Sequence, residues 1–204
     1  MTLKESKRLA VFISGNGSNL QALIDDQEIV DKLVLVVSNR KDAYGLKRAK
    51  EAGIPSYIIK NKNYEELIDK LDALRINGII LAGYLDILPK YFVDSYANKI
   101  INIHPSLIPS FCGKGYYGKK VHQAVLDYGV KYTGVTTHFV SEMADEGPII
   151  LQEVLEVSDT DDVDSLSVKV LKLEHQIICR TVRHFCANEL LIKDRYVTIG
   201  GNNE

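Results

Sequence analysis

Leu9-Ala10-Val11-Phe12-Ile13 runs directly into Ser14-Gly15-Asn16-Gly17-Ser18-Asn19 and then Leu20-Gln21. An unbroken apolar run of this length, stopped by glycine, reads as a strand buried on both faces. A helical pattern over residues 20–29 follows, so the glycines lie in a strand-to-helix turn. Glycines let the backbone bend sharply there, and free N–H groups at the start of a helix favour an anion. The string is neither a P-loop nor the dinucleotide fingerprint. Gly15-Asn16-Gly17 lacks the third glycine, and the second strand ends at Ser38-Asn39-Arg40 rather than on an acidic residue. A phosphate without a dinucleotide fits the turn; an ordinary β–α connection is the plainer alternative.

The same alternation continues outward. Apolar runs at 33–37, 57–59, 78–82 and 99–104 are separated by helical patterns at 43–52 and 64–74. This predicts an α/β fold, a Rossmann-like, mostly parallel sheet with helices on both faces. The second half differs. A helix is expected over 119–128, then strands over 133–140 and 148–157 joined by the short turn 141–147, an antiparallel hairpin added to the sheet. The Asp/Thr/Ser-rich stretch 158–165 supplies N-cap chemistry for a long amphipathic helix reaching about Leu191. No repeat or linker interrupts the chain, so one domain over 1–204 is expected.

Composition narrows the classes. The 204 residues are 46% hydrophobic and 25% charged, ordinary values for a globular chain. A formal net charge of −2 argues against general nucleic-acid binding. No apolar run reaches a membrane span, and the opening Met1–Lys7 leads into no cleavable signal. The 3 cysteines are scattered without metal-ligand spacing, and a reducing cytoplasm is the expected location.

Two further clusters carry chemistry. In Asn102-Ile103-His104-Pro105, residues two apart share a strand face, so Asn102 and His104 project together while Ile101 and Ile103 pack opposite. Pro105 ends the ladder near the carboxyl end of the sheet, where open α/β folds bind ligands. An amide can hydrogen-bond an oxyanion and an imidazole can carry a proton. Asp145-Glu146-Gly147-Pro148 lies in the hairpin turn; a carboxylate beside His104 would raise the imidazole pKa, whereas ordinary turn chemistry is the alternative. His122, His138, His175 and His184 read as mostly structural, and the nine-residue spacing of the last two places no metal pair on one helix face. The loop Lys114-Gly115-Tyr116-Tyr117-Gly118-Lys119-Lys120 grips an anion, closes over a site or is simply solvated. No nucleophile elbow points to a covalent intermediate.

With these motifs together, the chain resembles the phosphoribosylglycinamide formyltransferases, the folate-dependent formyltransferases of purine biosynthesis. The resemblance runs from the Gly-Asn-Gly-Ser-Asn loop through Asn102-Ile103-His104-Pro105-Ser106-Leu107 to Asp145-Glu146-Gly147-Pro148. It implies formyl transfer from 10-formyltetrahydrofolate to the amine of glycinamide ribonucleotide, with no metal. The implied catalytic residues are Asn102, His104 and Asp145. Ribonucleotide contacts are implied at Gly17, Ser18, Asn19, Leu20, Gln21 and Glu174. Folate contacts are implied at Lys62, Leu85, Asp86, Ile87, Leu88 and Asn102. The ribonucleotide is assigned to the N-terminal half, folate and catalysis to the C-terminal half. Two positions depart from the pattern: Leu171 stands where relatives often carry Gln or Lys near the phosphate, and Asp86 where many carry a basic residue. A formyltetrahydrofolate hydrolase and a non-catalytic folate- or nucleotide-binding module are the rivals. The expected partners are the two small-molecule substrates, without nucleic acid or membrane, and the chain is expected to be a monomer or homodimer. The hydrolases usually carry an added N-terminal domain and the tRNA-formylating relatives a C-terminal one, neither of which this length accommodates.

Overall fold

The structure, a computed structural model, describes residues 6–200. Most of the opening stretch Met1–Lys7 and the last four residues of the expected domain therefore lie outside the described residues. In chain order the elements are β1 (Leu9–Ile13), α1 (Ser18–Asp25), β2 (Leu33–Ser38), α2 (Gly45–Glu51), β3 (Ser56–Ile58), α3 (Tyr64–Ala73) and β4 (Gly78–Leu81). There follow α4 (Lys90–Ser95), β5 (Ile100–His104), α5 (Lys119–Tyr128), β6 (Tyr132–Phe139), β7 (Ile149–Glu156), α6 (Val163–Ala187), β8 (Leu190–Lys193) and β9 (Tyr196–Ile199).

Among the described residues one sheet holds every strand, in the order β3-β2-β1-β4-β5-β6-β7-β9-β8. Pairing is parallel from β3 through β5 and turns antiparallel at β5–β6 and β6–β7. β1 sits between β2 and β4, so the chain leaves it to one side and returns on the other. That switch opens a crevice at the carboxyl ends of β1 and β4.

The period-two alternation of the strands divides the core. Leu9, Val11, Ile13, Ile80, Ile101 and Ile103 face α1, α5 and α6, while Ala10, Phe12, Leu35, Ile79, Leu81 and Ile100 face α3 and α4. α6 contributes Leu166, Val170, Ile177, Val182 and Phe185 from one stripe. Asp162 starts it with a reciprocal capping box to Ser165. No helix among the described residues is long and apolar enough to cross a membrane.

Three differences from the sequence reading are local. α4 is too short, six residues, to show a period in the sequence. The long helix stops at Ala187 rather than near Leu191, because Asn188 takes a left-handed φ of 56° and ends it. The residues beyond form a hairpin, β8 and β9, turning at Asp194 and joined to β7 through the single pair Ile149–Tyr196.

Phe12 lies at the centre of the second layer, fully buried, with ring centroids 5.3 Å from Tyr84 and 6.0 Å from Phe92. Phe12→Ala should cost about 3–5 kcal/mol of stability, read from denaturant unfolding with an unchanged slope.

Candidate active site

A cavity of about 510 Å³ occupies the crevice, within the range of small-molecule sites. Gly15, Gly17, Ser18, Asn19 and Glu174 line one end, and Leu85, Asp86, Ile87 and Leu88 line the other. Asn102, His104 and Asp145 border it as well, so it draws on both halves of the chain. Leu20, Gln21 and Lys62 do not line it. Leu20 packs into the core, and the Gln21 side chain is bound to Asp25 and Arg48. Lys62 is turned to Asp86, 3.4 Å from its carboxylate.

Ser14, immediately before the glycine loop, fastens the Gly83–Leu85 segment of the wall to Asn39. Its buried hydroxyl donates to Asn39 Oδ1 at 2.7 Å and accepts the Leu85 N–H at 2.9 Å. Its own N–H reaches the Gly83 carbonyl.

Asn102 and His104 leave the same side of β5, as their spacing predicts. The antiparallel register sets Asn102 opposite His138 and His104 opposite Thr136. A register shift in the β6–β7 ladder falls between Thr137 and His138, next to the site. Asn102 Nδ2 lies 3.1 Å from His138 Nε2 and donates to Asp145 Oδ1 at 3.3 Å. His138 Nδ1–H donates to the Phe139 carbonyl, so Nε2 accepts from the amide.

Asp145 gathers the rest. It takes a left-handed φ of 58° in the hairpin turn. Gly147 makes that turn possible, because a Cβ there would strike the Phe139 carbonyl oxygen. Asp145 Oδ2 accepts the Gly113 N–H at 2.8 Å and lies 3.6 Å from His104 Nδ1. His104 Nε2–H donates to the Phe111 carbonyl at 2.9 Å, which leaves Nδ1 as the ring atom that gains and loses a proton.

The electrostatics correct one expectation. Burial pushes the His104 pKa below its ordinary value, and Asp145 and the Phe111 carbonyl pull it only partway back. Asp145 raises the imidazole pKa, as expected, yet desolvation is the larger effect, so the acid form is not the common one at neutral pH. For Asp145, burial opposes the charge, but the facing His138 and His104 rings and the Gly113 N–H outweigh it and hold the carboxyl below the usual range. At the other end, burial drives Glu174 up to about 7 against the hydrogen bond from Asn19. His122, also on the cavity wall, is pushed down by burial and by His104. Among the described residues no group of three or more His, Cys, Asp or Glu could hold a metal ion.

The sequence and shape have clear relatives. A profile of the formyl transferase family matches residues 7–182. Phosphoribosylglycinamide formyltransferase of Haemophilus influenzae is 37% identical over 205 residues, covering 96% of this chain and 94% of that protein. The chain belongs to the phosphoribosylglycinamide formyltransferase family. A crystal structure from the family, glycinamide ribonucleotide transformylase 1 from Symbiobacterium toebii, superposes with a TM-score of 0.88 at 35% identity, covering 97% of this chain and 95% of that one. The human trifunctional purine biosynthetic protein adenosine-3 is 41% identical over 184 residues, 85% of this chain but 18% of that longer protein.

Within this formyltransferase, Tyr84 is a wall residue that sequence reasoning passed over, and His138 is one that it read as mostly structural. His138 becomes visible only once the β5–β6 register is known. Glu174 yields a test of the electrostatics. Its carboxyl binds a proton more tightly folded, pKa about 7, than unfolded, 4.5. Its contribution to stability is therefore complete at low pH and lost as pH rises through that window. Glu174→Gln, neutral throughout, should match the wild type at pH 4 and exceed it by about 3 kcal/mol at pH 8, measured by denaturant unfolding at both pH values.

Proposed function

We propose that this chain transfers the formyl group of 10-formyltetrahydrofolate to the primary amine of glycinamide ribonucleotide. The observation that carries the reading is the meeting of Asn102, His104 and Asp145, far apart in sequence, beside one cavity whose far end is a glycine-rich helix start. The phosphate of the ribonucleotide binds at Gly17–Asn19, where helix N–H groups favour an anion. Glu174 meets the glycinamide end, and the pteridine lies along Leu85–Leu88. The whole of 1–204 acts as one formyltransferase domain.

The amine nitrogen attacks the formyl carbon and its carbonyl oxygen takes up the negative charge. Asn102 Nδ2–H, exchanging its long bond to Asp145, and protonated His104 Nδ1 stabilise that oxyanion. The attacking nitrogen then gives up a proton, the bond to the folate nitrogen breaks, and that nitrogen takes a proton as tetrahydrofolate leaves. Because burial disfavours the His104 imidazolium, its charge is stabilised most when the oxyanion forms beside it. Asp145 keeps the imidazolium accessible and orients Asn102. The apolar, partly exposed Leu85 and Ile87 suit the flat face of a pterin.

Tetrahydrofolate formation followed by absorbance should require glycinamide ribonucleotide. Release without the amine would identify a hydrolase instead, and no turnover with either substrate a binding module. His104→Ala should lower kcat/KM at least about a hundredfold with folding intact; a near-normal rate would remove the imidazole from the mechanism. Activity that needs imidazolium is lost as pH rises through the His104 pKa. Asp145→Asn withdraws the charge that raises this pKa, so the alkaline limb of kcat/KM should move to lower pH. An unmoved limb contradicts the pairing.

A further inference from the structure

The glycine loop at the cavity end is held from behind by α2. Gly17, at φ 72°, packs its backbone on that of Gly45; a Cβ on Gly17 would come within 2.7 Å of the Gly45 Cα. Gly45 N–H donates to the Gly15 carbonyl at 3.1 Å. One turn later Arg48 grips the next residue with a fork. Its Nε donates to the Asn16 carbonyl at 3.0 Å and its Nη2 to Asn16 Oδ1 at 2.9 Å. Its Nη1 reaches Gln21 Oε1 in the first turn of α1 at 3.1 Å, and the guanidinium lies 5.0 Å from the Tyr44 ring centre.

An anion loop needs its N–H groups turned to the ligand and its carbonyl oxygens turned away. In this loop the carbonyls of Gly15 and Asn16 both accept from α2, one from a backbone amide and one from Arg48. The same guanidinium places a full positive charge behind the loop. The wall on the α6 side supplies none, since Leu171 and Glu174 stand there.

From these contacts we infer that Arg48 is a positioning residue for the ribonucleotide phosphate: its fork fixes the Gly15–Asn19 loop in its anion-binding form and its charge assists from behind without touching the ligand. The inference rests on the reading of that loop as the phosphate site. It predicts an effect confined to one substrate. A planar guanidinium satisfies Asn16 at two atoms and Gln21 at a third, which an ammonium cannot reproduce.

The test is steady-state kinetics of the full chain with Arg48→Met, Arg48→Lys and Ser18→Ala, each substrate varied while the other saturates. Arg48→Met should raise the KM for glycinamide ribonucleotide about tenfold, with kcat and the donor KM within about twofold. Arg48→Lys should recover part of the loss, through charge without the fork. Should the methionine variant fail to fold, the lysine variant carries the test alone: it must raise the ribonucleotide KM and leave the donor KM in place. If Ser18→Ala raises the ribonucleotide KM while the Arg48 variants leave it unmoved, the clamp is overturned and the phosphate reading stands. If all three leave it unmoved, both fall. Equal losses in both KM values and kcat would reduce Arg48 to a general packing role and overturn the inference.

Discussion

The carboxylate of Asp145 is the point on which the site depends. It stands between the Asn102 amide, the rings of His104 and His138, and the Gly113 N–H, so four groups from three segments of chain converge on two oxygen atoms. Its place is set by backbone rather than by its own packing. A left-handed residue, then a glycine pressed against the β6 carbonyl, is the geometry that aims the side chain inward. Removing such a buried charge leaves donors without an acceptor, which costs more than the bonds were worth.

Burial and charge oppose each other at both ends of the cavity. His104 is pushed toward its neutral form and Glu174 toward its protonated form, both by desolvation. Each group thus holds the ionic state it would need for electrostatic work at an energetic disadvantage when no ligand is present. Perturbation of this kind gathers where chemistry is performed. It also explains why the two ends differ: Asp145 offers His104 a counter-charge, whereas Asn19 offers Glu174 only a hydrogen bond.

Much of this architecture was legible in the residues. The apolar run into Gly15-Asn16-Gly17 marked β1 and its turn, and the period of two in Asn102-Ile103-His104 marked which side chains share a face. What stayed hidden depended on register and on burial. Asn102 and His138 face each other only because β5 and β6 pair antiparallel at that offset. Arg48 reaches Asn16 across 32 positions, a contact no local pattern encodes. The direction of the His104 shift needed the surrounding volume, since the sequence shows a possible counter-charge but not the absence of water. The first residues of the terminal hairpin fall within the expected helix because Leu190 and Leu191 extend the apolar stripe of α6, while Asn188 turns the backbone first.

The single hydroxyl of Ser14 joins Asn39, just past β2, to the Leu85 amide on the cavity wall, and both attachments are short. One atom thus couples the loop after β2 to the loop after β4 across the strand between them, so the Leu85 wall of the cavity cannot shift without disturbing the end of β2.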